Sequence, residues 1–127
     1  MTGARLFDIA LDLLSLKDAS GNTPCDVDDL KARSLSLINT VIAENSLLDC
    51  KISRSEHEIK SIASLGDEIN MTDVVVQTVL PYALARLLIL GEDDSLANEM
   101  ARLYLASRDN ALKFGKARPH PISEVYA

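Results

Sequence analysis

The chain has no tryptophan, and aromatic residues make up only 4% of it. It cannot build its interior from stacked rings. Its apolar share, 47%, must come from Leu, Ile, Val and Ala, which favours helices over an aromatic-rich sandwich. Long apolar runs are missing too. The longest, Leu87 to Leu90, falls far short of the ~18 residues that a membrane span needs. Cysteine is limited to Cys25 and Cys50, which form no C-x-x-C pair. The first residues carry one arginine and then an amphipathic stretch with Asp8 and Asp12, unlike a secretory signal. The two could form one disulfide, but in a chain expected to be made and kept in a cytoplasm free thiols are the more common state. Positive charge is in deficit: 13 Lys and Arg stand against 19 Asp and Glu, for a net −6. That balance gives no overall footprint for nucleic acid, because phosphate binding needs clustered cations. Arg108, Lys113, Lys116 and Arg118 do crowd together, and there they suit the negative end of a last helix.

Catalytic patterns are lacking as well. His57 lies between Glu56 and Glu58, and His120 between Pro119 and Pro121. Neither belongs to a metal-ligand spacing. There is no glycine-rich phosphate loop and no nucleophile elbow. The acidic and amide groups of residues 22–29 have neither the central glycine nor the terminal glutamate of a calcium loop. No catalytic, cofactor-binding or metal-ligating residue is assigned, and the chain is read as a non-enzyme.

The length fits one domain. A first helix is expected over residues 4–17, with Leu6, Phe7, Ile9, Ala10, Leu13 and Leu14 on one stripe. Residues 18–22 form a turn. Thr23 and Pro24 suit the start of a second helix as N-cap and first helical residue, with Asp26, Asp28 and Asp29 in its first turn. Val27, Leu30, Leu37, Ile38, Val41 and Ile42 face inward, and the helix is expected to end near Asn45. In residues 46–71, Ser53-Arg54-Ser55-Glu56 fits a capping box. Ile59, Ile62 and Leu65, spaced by three, fit either a helix or an irregular extended run, and Gly66-Asp67-Glu68 fits a turn; the region is read as mixed, with two short strands around residues 58–64 and 68–71.

Residues 72–114 read as a helical hairpin. Val76, Val79, Leu80, Ala83, Leu84, Leu87 and Leu88 recur on one helical face. Pro81 falls inside this helix and crowds the carbonyl of Gln77, which predicts a kink or a new helix starting there. Gly91 suits a left-handed stop, and Asp93 or Asp94 can cap the next helix. That helix turns Leu96, Met100, Leu103, Tyr104, Ala111 and Leu112 inward and Glu99, Arg102 and Arg108 outward, and Gly115 closes it. Beyond it, Pro119 and Pro121 hold the backbone extended. The division is a helical domain, 1–115, and an extended tail, 116–127, whose Ile122, Val125 and Tyr126 are apolar enough to be tied down.

Leu80-Pro81-Tyr82-Ala83-Leu84-Ala85, the leucine run 87–90, the acidic turn 92–94, the tyrosine-bearing helix at Ala101-Arg102-Leu103-Tyr104 and the tail Ile122-Ser123-Glu124-Val125-Tyr126 together resemble small phage and prophage proteins. The family is the head–tail connector, or head-completion, proteins of tailed bacteriophages. The likeness covers roughly residues 62–126, and Ala83 stands where the family often has glycine. The resemblance implies a ring of copies below the portal that continues the DNA channel to the tail. The implied partners are the chain itself, the portal protein and tail-side connector proteins, with no sequence-specific nucleic acid and no membrane. The implied location is the bacterial host cytoplasm and then the virion. An acidic ring would repel DNA rather than grip it. The expected fold is an all-α bundle of four to five helices with a C-terminal hairpin. Pro81, Tyr82, Tyr104, Ile122, Val125 and Tyr126 are the candidate assembly surface. The rival reading is a cytoplasmic helical adaptor or regulator that takes a partner helix in a groove.

Overall fold

The computed structural model describes residues 1–14, 27–54 and 58–117. They fold as a small all-α bundle: α1 (Gly3–Leu13), α2 (Val27–Ser53), α3 (Asp73–Thr78), α4 (Leu80–Ile89) and α5 (Asp94–Ala117). One contiguous apolar cluster joins all five helices, with Leu6, Ile38, Val75, Leu84 and Tyr104 among its members. α4 lies at the centre and packs against the other four. Its near-continuous run of Leu80, Pro81, Ala83, Leu84, Ala85, Leu88 and Ile89 is accordingly buried.

The hairpin forms as its chemistry predicts. Gly91 takes φ +88°, a conformation that costs glycine little and other residues more. The Asp93 carboxylate accepts the Leu96 N–H at 3.0 Å, which caps α5. Pro81 produces a break rather than a kink. The helix ends at Thr78, and α4 begins anew at Leu80, with the proline in its first turn, where a missing N–H is tolerated.

Three helix ends differ from the sequence expectation. α1 ends at Leu13. α2 does not stop near Asn45 but runs on to Ser53, because Leu48 and Ile52 continue its buried stripe. Ser53 therefore ends a helix instead of opening one, and its hydroxyl donates back to the Cys50 carbonyl at 3.3 Å. Glu56, the other half of the expected capping box, and Thr23 and Pro24, the expected start of α2, lie outside the described residues. α5 passes through Gly115 to Ala117. The following residue, Arg118, precedes a proline and so disfavours helix.

The expected strands at 58–64 and 68–71 are absent among the described residues; a single bridge joins Thr2 to Glu68. The loop satisfies its backbone in other ways. The Asn39 side-chain amide accepts from the Ile62 N–H at 2.8 Å and donates to the Ile62 carbonyl at 3.0 Å. Asp67 accepts from the N–H groups of Ala63 and Ser64 at 2.9 and 3.0 Å, and these bonds hold its carboxyl below the ordinary value. Gly3 N–H donates to the Asp67 carbonyl, and Ile69 N–H to the Met1 carbonyl. A Cβ on Gly3 would lie 2.7 Å from the tip of Ile62, so glycine permits this close approach.

Candidate functional site

α5 touches α2 along one side and α3 along another, and each side carries a distinct feature. Towards α2 lies a polar cluster centred on Tyr104, which is 4% exposed. Its hydroxyl accepts from Asn45 Nδ2 at 3.1 Å and from Arg108 Nη1 at 3.3 Å, and donates to Glu44 Oε1 at 3.3 Å. One hydroxyl offers one donor and two acceptor positions, so this one is saturated. Arg108 Nη1 also donates to Asn45 Oδ1 at 2.6 Å and to the Glu44 carbonyl at 3.2 Å. From α4, Arg86 reaches Glu44 Oε1 at 3.0 Å. Its guanidinium lies 4.7 Å from the centre of the Tyr104 ring, in range for cation–π attraction. The buried Arg86 Nε meets no acceptor among the described residues. This cluster locks three helices together. It contains no nucleophile held beside a base, and its capacity is structural.

Towards α3 lies an open cleft of about 380 Å³ between α3, α4 and α5. Val74, Tyr82 and Ala111 give it apolar surface; Gln77, Thr78, Ser107 and Asn110 give it polar surface. None of these side chains carries a formal charge. The Thr78 hydroxyl donates to the Val74 carbonyl, and the Ser107 hydroxyl to the Tyr104 carbonyl at 2.8 Å. Both hydroxyl hydrogens are thus spent within their own helices. The amides of Gln77 and Asn110 supply the N–H groups that an occupant could meet. The break at Val79 positions this cleft, because it separates α3, which carries Val74, Gln77 and Thr78, from α4, which carries Tyr82.

The structure divides the residues singled out in the sequence. Tyr82 is half-buried and lines the cleft. Pro81 and Tyr104 are buried, so neither presents its side chain on the surface of the folded chain. Pro81 acts by setting the break, and Tyr104 acts by joining α5 to α2. Ile122, Val125 and Tyr126 lie outside the described residues, as do Cys25, His57 and His120. Arg108 is not a simple outward cation, since it spans to Asn45. Lys113 pairs with Asp109 one turn back at 3.1 Å, an exposed contact of little energetic weight. Among the described residues, no cluster of His, Cys, Asp and Glu could hold a metal ion, and no helix is long and apolar enough to cross a membrane.

Glu44, Asn45 and Arg86 were not indicated by any motif. The available signal was Asn45 itself, a polar residue in register with Val41, Ile42 and Leu48 on an otherwise apolar stripe. No protein-family model matches the chain, and no curated protein or solved structure matches it.

Proposed function

We propose that this chain is a structural connector of a tailed-phage or prophage particle, acting as a ring of copies between portal and tail. The resemblance of residues 62–126 to head-completion proteins supports this reading. The observation that carries it is the uncharged cleft beside Tyr82, created where the Leu80-Pro81-Tyr82 segment starts a new helix. Assembly surfaces are depleted in charge at their centres and enriched in tyrosine, and this cleft has both properties. The net charge of −6 suits a channel wall past which DNA must slide, because like charge prevents adhesion. The chain would be made in the host cytoplasm and end in the virion.

The same cleft supports a second reading, an adaptor that seats the apolar face of a partner helix. Electron microscopy of the purified protein, alone and mixed with a portal protein, separates the two. Rings, or added density below the portal, are expected for a connector. A protein that remains a monomer and leaves the portal bare would overturn that role.

A further inference from the structure

We propose that the outward face of α5 is a docking surface for a second copy of this chain, packed antiparallel about a two-fold axis that passes between positions 105 and 106. The inference does not rest on the connector reading. A two-fold contact closes on itself in a pair, so it joins copies two by two and is separate from any ring.

The observation that carries it is the order of charges along one helical face. Ala97, Met100, Tyr104 and Ala111 hold α5 to the bundle and are buried. Opposite them, at three- and four-residue spacing, run Glu99, Arg102, Leu105 with Ala106, Asp109 and Lys113, all exposed. Their signs read minus, plus, apolar, minus, plus. From the other end they read plus, minus, apolar, plus, minus. Two copies laid antiparallel therefore meet with opposite charges throughout. Arg102 and Asp109 each lie about 5 Å along the helix from the axis, and Glu99 and Lys113 roughly 10–11 Å, at the helical rise. Arg102 of one copy thus faces Asp109 of the other, and Glu99 faces Lys113. A parallel pair would set each charge against its own like, which is repulsive.

The centre of this face is apolar. Leu105 is 66% exposed, whereas Tyr104 beside it in sequence is 4% exposed. Because Leu105 lies next to the axis, it meets Leu105 of the second copy, and Ala106 meets Ala106, whose small side chain lets the helices approach. Removing both leucines from water is an attraction that the single bundle leaves unused. An apolar centre with a charged rim is the common build of a protein interface. Within one chain, Glu99 bonds Arg102, and Asp109 lies 3.1 Å from Lys113. These four side chains remain 49–72% exposed. Antiparallel packing sets one pair against the other copy's second pair. Two isolated surface pairs of little weight thereby become one network of four charges at each end of the contact. The face spans residues 99–113, about 21 Å of a single helix. A contact of that size belongs with the small, weak interfaces, so association depends on concentration.

The experiment is sedimentation equilibrium of the full chain from about 10 µM to about 1 mM, where a weak contact is measurable. Wild type should pass from monomer to dimer across that range. Arg102→Asp alone and Asp109→Arg alone should each weaken association at least about tenfold, because either reversal turns two attractive contacts into repulsive ones. The double variant Arg102→Asp, Asp109→Arg should dimerise like wild type, since antiparallel packing still sets position 102 against position 109. An equimolar mixture of the two single variants should form a heterodimer for the same reason. Leu105→Asp should remain a monomer throughout. All three positions are exposed, and circular dichroism checks that each variant keeps its helices; should Leu105→Asp lose them, Leu105→Gln takes its place and should weaken association. Wild type that stays a monomer at ~1 mM overturns the proposal, as do single variants that associate like wild type. A double variant and a mixture as weak as the single variants overturn the antiparallel two-fold. Dimers formed in this way with the portal left bare would leave this inference standing and defeat the connector role. Rings formed by both single variants as readily as by wild type, without dimers, would do the reverse.

Discussion

Replacing Tyr104 by Phe removes one oxygen and leaves the ring. The ring continues to fill its place in the core and to face Arg86, so neither a cavity cost nor loss of the cation–π contact enters. The effect falls on the three groups bound to the hydroxyl. Glu44 keeps Arg86 at 3.0 Å. Arg108 keeps Asn45 Oδ1 and the Glu44 carbonyl. Asn45 loses most, because it is 0% exposed and its second amide hydrogen has nowhere else to go. Its first remains on the Val41 carbonyl at 2.8 Å. One orphaned buried donor costs about 1–3 kcal/mol. Urea unfolding at 25 °C should therefore show a loss of ~1.5 kcal/mol with an unchanged slope, and the thermal midpoint should fall by on the order of 5 °C. Asn45→Ala and the double variant complete a cycle, in which the coupling should exceed about 0.5 kcal/mol. A Tyr104→Phe protein within ~0.3 kcal/mol of wild type would refute the reasoning, because the hydroxyl would then contribute nothing to holding α5 on α2.

Gly91→Ala places a side chain at φ +88° with open space around it, so only backbone strain acts; a loss of about 1–2 kcal/mol in chemical unfolding is expected, and a neutral result would mean that the turn relaxes. Pro81→Ala keeps α4 but frees the unfolded chain, which should cost about 0.4–1 kcal/mol with little change in helical circular dichroism; a gain in stability would show that the proline strains the break. Asp67 has a folded pKa lowered by the Ala63 and Ser64 N–H groups, so its contribution is present above the unfolded carboxyl value of about 3.9 and disappears as pH falls through the lower folded value. The thermal midpoint of wild type should exceed that of Asp67→Asn by a constant margin from neutral pH downward and converge with it in acid; a margin that widens in acid would contradict this sign.

The hairpin was legible because its instructions are local. Gly91, Asp93 and the Leu80–Leu88 stripe lie within a few residues of the structures they specify. Pro81 announced a kink or a new helix, and the chain takes the second course, with helix on both sides of Val79. Residues 58–72 were misread for the opposite reason. Their apolar spacing at Ile59, Ile62 and Leu65 looks regular, but their backbone is held by Asn39 and by the first residues of the chain. Partners 23 or more residues away leave no mark on a local pattern. Inward and outward assignments on α5 followed its apolar period, and that rule alone does not account for Leu105, which is 66% exposed.

The misplaced end of α2 and the missed polar cluster share one cause. A polar residue in an apolar stripe looks like the end of a helix, because an unpaired amide in the core is costly. Asn45 evades that cost through Tyr104, 59 residues away. Asp49, also fully buried, accepts the N–H and hydroxyl of Thr72 at 2.7 Å each, 23 residues on. These contacts also supply what the apolar stripe lacks. Leu, Ile and Ala on α2 and α5 would tolerate a slip of one helix along the other, since one aliphatic residue replaces another at small cost. A slip of one turn would move the Tyr104 hydroxyl away from Asn45 and strand both groups in the core. Asn45 thus fixes the register of α5, and through Asn110 and Ala111 on the same helix it fixes one wall of the cleft. A core amide with its partner far along the chain can in this way determine a surface that it does not touch.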